Sequence, residues 1–236
     1  MSNLPLSGKL ALVTGASRGI GAATAEALGA AGAHVILTAR TVGGLEEVEE
    51  RVHSAGGSAT IAPLDLIDGE SIGRLAQAVS GRWQALDVLV LNAATLGSLA
   101  SVPAIDAKEF ARLLTLNIAA PQALIAAFDS MLRASASARV IAVTSSVATA
   151  PRAYWGAYGA SKAALETLVS AYGEEVKNIS SIRTHIVDPG ATRTAMRARA
   201  FPGEDPATLK DPKVVGQAIV DLILSDRPDG YHHRVD

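Results

Sequence analysis

The 236-residue chain has no cysteine, and this absence excludes disulfide bonds, thiolate nucleophiles and thiolate metal sites together. It also lacks an excess of charge of one sign. The formal net charge is −2 and the basic residues are scattered, so a nucleic-acid partner is not expected. The five histidines show no ligand spacing with carboxylates on a common helix face, so no metal site is expected.

Long hydrophobic runs are missing too, since the apolar stretches are far too short to cross a bilayer. Residues 1–9 carry neither the basic start nor the apolar stretch of a signal peptide. We therefore expect a cytoplasmic protein without a membrane partner. Hydrophobic residues make up 49% of the chain and charged residues 19%, so a sizeable core can be buried.

Short β-branched runs alternate with longer segments of helical periodicity that are rich in alanine and leucine. The short runs are almost wholly apolar, which is typical of parallel strands covered on both faces. The predicted strands cover residues 10–14, 34–38, 58–62, 88–91, 140–144 and 183–187, with a brief last strand through Val235. The predicted helices cover residues 19–31, 43–55, 69–81, 107–133, 156–178 and 212–225, and Asp106 and Asp211 are candidate N-caps.

This succession predicts an α/β fold, a Rossmann-type doubly wound parallel sheet with helices on both faces. No Pro/Ser-rich linker and no internal repeat divides the chain, so residues 1–236 are predicted to form a single domain. The segment 191–211 has turn residues and little periodicity, and it follows a strand end on the catalytic side of such a sheet. It is therefore a candidate substrate loop, although an ordinary surface loop is the alternative.

A glycine-rich turn, Thr14-Gly-Ala-Ser-Arg-Gly-Ile-Gly21, joins the first strand to the first helix. Glycines at 15, 19 and 21 permit a tight turn and let backbone N–H groups approach a pyrophosphate, which a helix N-terminus also attracts. The G-K-[ST] ending of a nucleotide hydrolase loop is absent. The turn therefore favours a dinucleotide over a nucleoside triphosphate.

The second strand ends at Arg40, where an acidic residue would bind the ribose 2′-hydroxyl of NAD. Arg18, within the glycine turn, supplies a second cation near the same place. Guanidinium groups match phosphate oxygens, so the pair favours the 2′-phosphate of NADP, with NAD as the alternative. Arg40 could also be only a solvated residue at a helix start.

Tyr158 and Lys162 are spaced i, i+4 on the helix predicted over residues 156–178, so both side chains project from one face. An ammonium group beside a phenol is expected to lower the tyrosine pKa and make the hydroxyl a general acid or base. Ser145, on the neighbouring strand end, could hydrogen-bond the oxygen that is being protonated.

Taken together, these motifs resemble the classical short-chain dehydrogenase/reductase family over nearly the whole chain. The resemblance rests on the glycine turn and on Asp65-Leu66, Asn92-Ala93, Asn117, Ser145, Tyr158/Lys162 and Pro189-Gly190 in that order. It implies that Tyr158 donates or accepts the proton, that Lys162 also binds the nicotinamide ribose, and that Asn117 anchors a water of the proton relay. The implied catalytic residues are Asn117, Ser145, Tyr158 and Lys162, and the implied cofactor-binding residues are Gly15, Ser17, Arg18, Gly19, Ile20, Gly21, Arg40, Asp65, Leu66, Asn92, Ala93, Tyr158, Lys162, Pro189, Gly190 and Thr194.

The sequence departs from the family pattern at Ala94, where the third residue of an Asn-Ala-Gly motif carries a methyl group. Two serines, Ser145 and Ser146, could fill the catalytic position, and the spacing to Tyr158 favours Ser145. We expect an NADP-preferring oxidoreductase that reduces a ketone or aldehyde, or oxidises a secondary alcohol, and that forms a homodimer or homotetramer. The alternatives are a dinucleotide-binding regulatory protein without turnover, and an epimerase or dehydratase.

Overall fold

The computed structural model describes residues 4–236, and its centre is a seven-stranded parallel sheet. The strands lie in the order β3-β2-β1-β4-β5-β6-β7, so the direction of winding reverses between β1 and β4. In a sheet of this kind, ligands bind outside the carboxyl ends of the strands at that reversal. The strands are β1 (Leu10–Thr14), β2 (His34–Thr38), β3 (Ser58–Ile61), β4 (Val88–Leu91), β5 (Arg139–Val143), β6 (Arg183–Asp188) and β7 (Tyr231–Arg234).

Eight α-helices surround the sheet in the described part of the chain. They are α1 (Gly19–Ala30), α2 (Val42–Ser54), α3 (Gly69–Ser80), α4 (Ala107–Leu114), α5 (Ala120–Ala134), α6 (Gly156–Val176), α7 (Ala195–Ala200) and α8 (Pro212–Leu224). The predicted fold class and the six predicted strands are confirmed, with boundaries that agree within one residue. Asp106 and Asp211 are confirmed as N-caps, because their carboxylates accept hydrogen bonds from Glu109 N and Lys213 N at 2.8 and 2.9 Å.

Two hydrophobic cores lie on opposite faces of the sheet. Alternate strand residues point to opposite faces, so Leu12 belongs to one core and its neighbour Val13 to the other. Helices α3, α5 and α6 cover the first core, and α1, α2 and α8 cover the second. Burial of both faces explains why the strands are almost wholly apolar.

The helix predicted over residues 107–133 is confirmed, because helical backbone runs without a break from Ala107 to Ala134. A π-helical turn, Thr115–Ala119, joins α4 to α5 and contains the buried residue Asn117. Such turns widen a helix locally and occur frequently at functional sites. By length and composition alone, the stretch Ala107–Ala134 could cross a membrane. In this fold, one side of its α5 part packs on the sheet through Leu124 and Phe128.

The segment 191–211 is more regular than its sequence suggests. It contains α7 and a 3-10 turn, Pro206–Thr208, and its two ends meet in a bridge between Thr192 and Lys210. Arg193 also pairs with Asp211 at 2.5 Å. The segment therefore forms a closed unit above the carboxyl ends of the strands. The last strand ends at Arg234, one residue before the predicted Val235.

Candidate active site

The glycine turn brings β1 directly onto the N-terminus of α1. Gly15 and Gly19 have φ angles of +66° and +58°, which L-residues with side chains rarely adopt. A Cβ atom at Gly21 would lie 2.3 Å from the carbonyl oxygen of Gly15, so only glycine fits there. No side chain caps the first turn of α1, whose N-cap is Arg18. Its backbone N–H groups therefore remain available to an anion, and the turn fits the pyrophosphate of a dinucleotide.

Arg18 and Arg40 are both exposed beside this turn, and neither forms an ion pair within residues 4–236. The backbone N–H of Ala16 donates to the carbonyl of Thr38 at 3.1 Å. This bond holds the glycine turn against the end of β2. Ala16 lies two residues before Arg18, and Thr38 lies two residues before Arg40. The arrangement provides two cations without a competing carboxylate partner.

Thr14 and Asn92 join the ends of β1 and β4. The Thr14 hydroxyl donates to Val90 O and accepts from the backbone N–H groups of Asn92 and Ala93, all at 3.0 Å. The Asn92 amide nitrogen in turn donates to Thr14 O at 2.8 Å. The side-chain amide of Asn92 thus fixes the floor of the crevice. The family resemblance implied that Asn92 binds the cofactor, and no feature of the sequence pointed to the part played by Thr14.

The remaining predicted cofactor residues lie at the same edge of the sheet. A Cβ atom at Gly19 would lie 3.4 Å from the Thr194 methyl group, so the start of α7 stands over the start of α1. Asp65 follows β3 and accepts a hydrogen bond from Ile67 N at 3.1 Å, which shapes its own turn. The side chain of Leu66, the next residue, is buried in the core under α3. Pro189 and Gly190 follow the end of β6.

Tyr158 and Lys162 lie in the first turns of α6, and both are buried. The Lys162 ammonium lies 5.8 Å from the centre of the Tyr158 ring and donates to the carbonyl of Val143, at the end of β5, at 2.8 Å. The Tyr158 ring packs against Leu96 and Val147. The pair therefore sits at the carboxyl edge of β5, with the ammonium anchored on the strand rather than on the phenol.

The pKa of the Tyr158 phenol is raised, chiefly because burial disfavours the phenolate and secondarily because of the Asp188 carboxylate. This is opposite to the sequence prediction that Lys162 lowers it. The prediction considered the nearby cation and not the loss of hydration. Burial lowers the pKa of Lys162 to about 8, and the Glu166 carboxylate opposes that shift. Around neutral pH the phenol is thus neutral and the lysine is mainly cationic.

Ser145 and Ser146 occupy the turn between β5 and α6. The Ser146 hydroxyl accepts a hydrogen bond from the Arg152 guanidinium at 3.3 Å, whereas the Ser145 hydroxyl has no partner among the described residues. A Cβ atom at Gly159 would lie 2.9 Å from Val147 O, so this turn packs directly on the first turn of α6. Glycine at this position is what lets the serines approach the helix that carries Tyr158.

Asn117, in the π-helical turn, joins three segments of the chain. Its carboxamide oxygen accepts from Thr95 N at 2.9 Å, and its nitrogen donates to Thr95 O at 2.9 Å and to the Ser161 hydroxyl at 3.0 Å. Ser161 neighbours Lys162 on α6, and Thr95 lies in the loop after β4. The Asn117 side chain is therefore fully used in holding this geometry, a role that the sequence did not reveal.

A cavity of about 160 Å³ opens beside Ser145 between the ends of β5 and β6. Four charged side chains line it, and sequence reasoning singled out none of them: Arg152, Asp188, Arg197 and Arg234. Asp188 could have been noticed, because it directly precedes the Pro189-Gly190 motif. Within residues 4–236, no group of three or more histidine, aspartate or glutamate side chains is placed to hold a metal ion.

Comparison with known proteins agrees with this geometry. The family model described as short chain dehydrogenase matches residues 9–205. The uncharacterized oxidoreductase YciK of Escherichia coli K12 is 34% identical over 210 residues, which cover 88% of this chain and 82% of YciK.

Two solved structures are similar over their full length. A short chain dehydrogenase from Pseudomonas syringae has a TM-score of 0.95 and 34% identity, covering 99% of this chain and 97% of that one. A short chain dehydrogenase from Escherichia coli CFT073, solved in complex with NADPH, has a TM-score of 0.94 and 32% identity, covering 100% of both chains. The chain therefore belongs to the short-chain dehydrogenase/reductase family of oxidoreductases.

Proposed function

We propose that this chain is an NADP-preferring oxidoreductase that reduces a ketone or aldehyde, or oxidises a secondary alcohol, with Tyr158 as the proton donor or acceptor. The observation that carries the proposal is the buried pair of Tyr158 and Lys162. The pair lies at the carboxyl edge of the sheet, beside the turn that contains Ser145. In doubly wound folds this edge is where ligands bind.

In the reductive direction, bound NADPH would supply a hydride, and hence two electrons, to the carbonyl carbon. The Ser145 hydroxyl would hold the carbonyl oxygen. Tyr158 would give that oxygen its phenolic proton, which the phenol holds at neutral pH because burial raises its pKa. The Lys162 ammonium, held on Val143 O, would then stabilise the phenolate that remains.

The preference for NADP rests on the two exposed arginines at the end of β2 and in the glycine turn, Arg40 and Arg18. A 2′-phosphate carries two negative charges that guanidinium groups bind well. The similar protein from Escherichia coli CFT073, solved with NADPH, supports the same assignment.

Oxidation of NADPH, followed at 340 nm across a panel of ketones and aldehydes, tests the proposal. Tyr158→Phe should lower kcat by at least about 100-fold, because the general acid is lost. NADPH affinity should stay within about threefold, since the ring keeps its packing against Leu96 and Val147. Retained turnover in the variant would remove Tyr158 from the mechanism. Tight NADPH binding without turnover on any substrate would instead favour a regulatory dinucleotide-binding protein.

We further propose that the chain forms a homodimer through the apolar stretch Ala107–Ala134. Within this stretch Leu114, Leu116 and Ile118 are half-buried and Ala119 and Ala126 are exposed, which leaves apolar surface for a second copy. Sedimentation at micromolar concentration should give a mass of twice 24.2 kDa or a multiple of it. A single monomer boundary would contradict this proposal without affecting the catalytic one.

A further inference from the structure

The residues that line the cavity beside Ser145 come from different parts of the chain. Gly190 and Ala191 follow the end of β6, and Gly190 belongs to the Pro189-Gly190 motif that the family resemblance assigns to cofactor binding. Arg152 and Trp155 lie in the segment that leads into α6. They are not among the predicted cofactor residues, so this part of the lining is available to the substrate.

The charges around the cavity are unequal, with three guanidinium groups against one carboxylate. The carboxylate, Asp188, already accepts a hydrogen bond from Gly190 N at 3.0 Å. Of the guanidinium groups, Arg197 is committed to Glu204, to which it donates twice, at 2.6 and 2.5 Å. Its charge is therefore largely neutralised by a bidentate partner.

The other two guanidinium groups keep most of their hydrogen-bonding capacity. Arg152 forms no ion pair within the described residues, and its one side-chain hydrogen bond goes to the neutral Ser146 hydroxyl at 3.3 Å. Arg234 faces Asp236 at 3.6 Å, and both of these side chains are largely exposed, so solvent screens the pair. Each arginine can thus offer several N–H donors to an anion in the cavity.

We propose that the substrate carries an oxyanion, a carboxylate or a phosphate, within a few bonds of its reacting carbonyl, and that Arg152 and Arg234 bind it. This inference rests on the proposed function, because it names the substrate class of the same site. The short distance follows from the position of Arg152, whose guanidinium reaches the residue next to Ser145.

Matched pairs of ketones test the proposal with the protein and NADPH. Acetoacetate is compared with acetoacetamide, and hydroxyacetone phosphate with hydroxyacetone, so that the two pairs separate a carboxylate from a phosphate. The variants are Arg152→Gln and Arg234→Gln. Arg82→Gln is the control, because it removes the same charge from an exposed arginine that lies over Trp83, ahead of the amino end of β4.

We expect at least one anionic ketone to exceed its neutral partner in kcat/KM by about tenfold or more. Arg152→Gln should lower this ratio by about tenfold, chiefly through KM, and Arg234→Gln should lower it in the same direction. Arg82→Gln should leave the ratio unchanged. NADPH affinity should be unchanged in all three variants, since the proposed contacts are to the substrate.

Turnover of the neutral ketones at rates equal to or above those of the anionic ones would overturn the proposal and leave the oxidoreductase function standing. An unchanged ratio in both cavity variants would overturn it as well. If none of these four ketones is reduced, the proposed function is judged on the wider panel of ketones and aldehydes. Calorimetric titration of malonate then still tests the anion site: binding that Arg152→Gln weakens supports it, and no binding at millimolar concentration rejects it.

Discussion

His185 should make this protein sensitive to acid. It lies on β6 with no exposed surface, and neither ring nitrogen has a hydrogen-bond partner. Burial lowers its pKa to about 4, and Arg139 and Arg183 add to the shift while Asp229 opposes it. In the unfolded chain the pKa returns to about 6.5. The unfolded state therefore binds more protons than the native state between these two values, and stability is lost as pH falls through that window.

Because the two pKa values differ by about 2.5, the free energy of unfolding falls by about 3 kcal/mol when the pH drops from above both values to below both. Between pH 7 and pH 5 the loss is about 2 kcal/mol. His185→Leu removes this contribution at both pH values. Urea unfolding of the wild type and the variant, at fixed protein concentration, gives the free energy of unfolding at each pH. On going from pH 7 to pH 5, the free energy of unfolding of the wild type should fall by about 2 kcal/mol more than that of the variant.

The comparison between two pH values cancels any packing change that leucine introduces, since that change is present at both. His53→Gln is the control, because His53 is exposed on α2. Its pH dependence should match that of the wild type. If His185→Leu also loses as much stability as the wild type on going to pH 5, then the buried ring is not the source of the acid sensitivity and the linkage argument is wrong.

Two further changes test the cofactor end of the crevice. Gly21→Ala would place a Cβ 2.3 Å from the Gly15 carbonyl oxygen, so the glycine turn must shift. NADPH affinity, measured by fluorescence titration, should therefore fall by at least about tenfold. Wild-type affinity in the variant would refute this prediction. Arg40→Asp replaces a cation with a carboxylate that can accept a hydrogen bond from the ribose 2′-hydroxyl of NADH. The ratio of kcat/KM for NADPH to kcat/KM for NADH should therefore fall by at least about tenfold. An unchanged ratio would refute the argument for NADP selectivity.

The sheet could be predicted because its strands are short apolar runs bounded by turn residues. Strands buried on both faces need such a composition, and the residues from Leu10 to Val13 have it. The positions of the glycine turn, Tyr158 and Lys162 followed from spacing along the chain. Their convergence at one edge of the sheet required only the rule that parallel strands bring their carboxyl ends together.

The parts that could not be predicted depend on contacts between distant residues. The π-helical turn at Asn117 leaves the apolar periodicity of its segment nearly intact, so periodicity alone gave one helix. The pKa of Tyr158 is raised because the side chain is buried against Leu96 and Val147. Neither of these residues belongs to the helix that carries the tyrosine. The arginines of the cavity come from three separate segments, and only the folded chain assembles them.

The amide of Asn117 joins groups that do not titrate. Its bonds to Thr95 and Ser161 span 22 and 44 positions of the chain, and none of the three partners gains or loses a proton in the physiological range. Lys162, one residue beyond Ser161, titrates near pH 8. We therefore expect the hydrogen bonds between the loop after β4 and the helix that bears the proposed proton donor to persist when the lysine loses its charge.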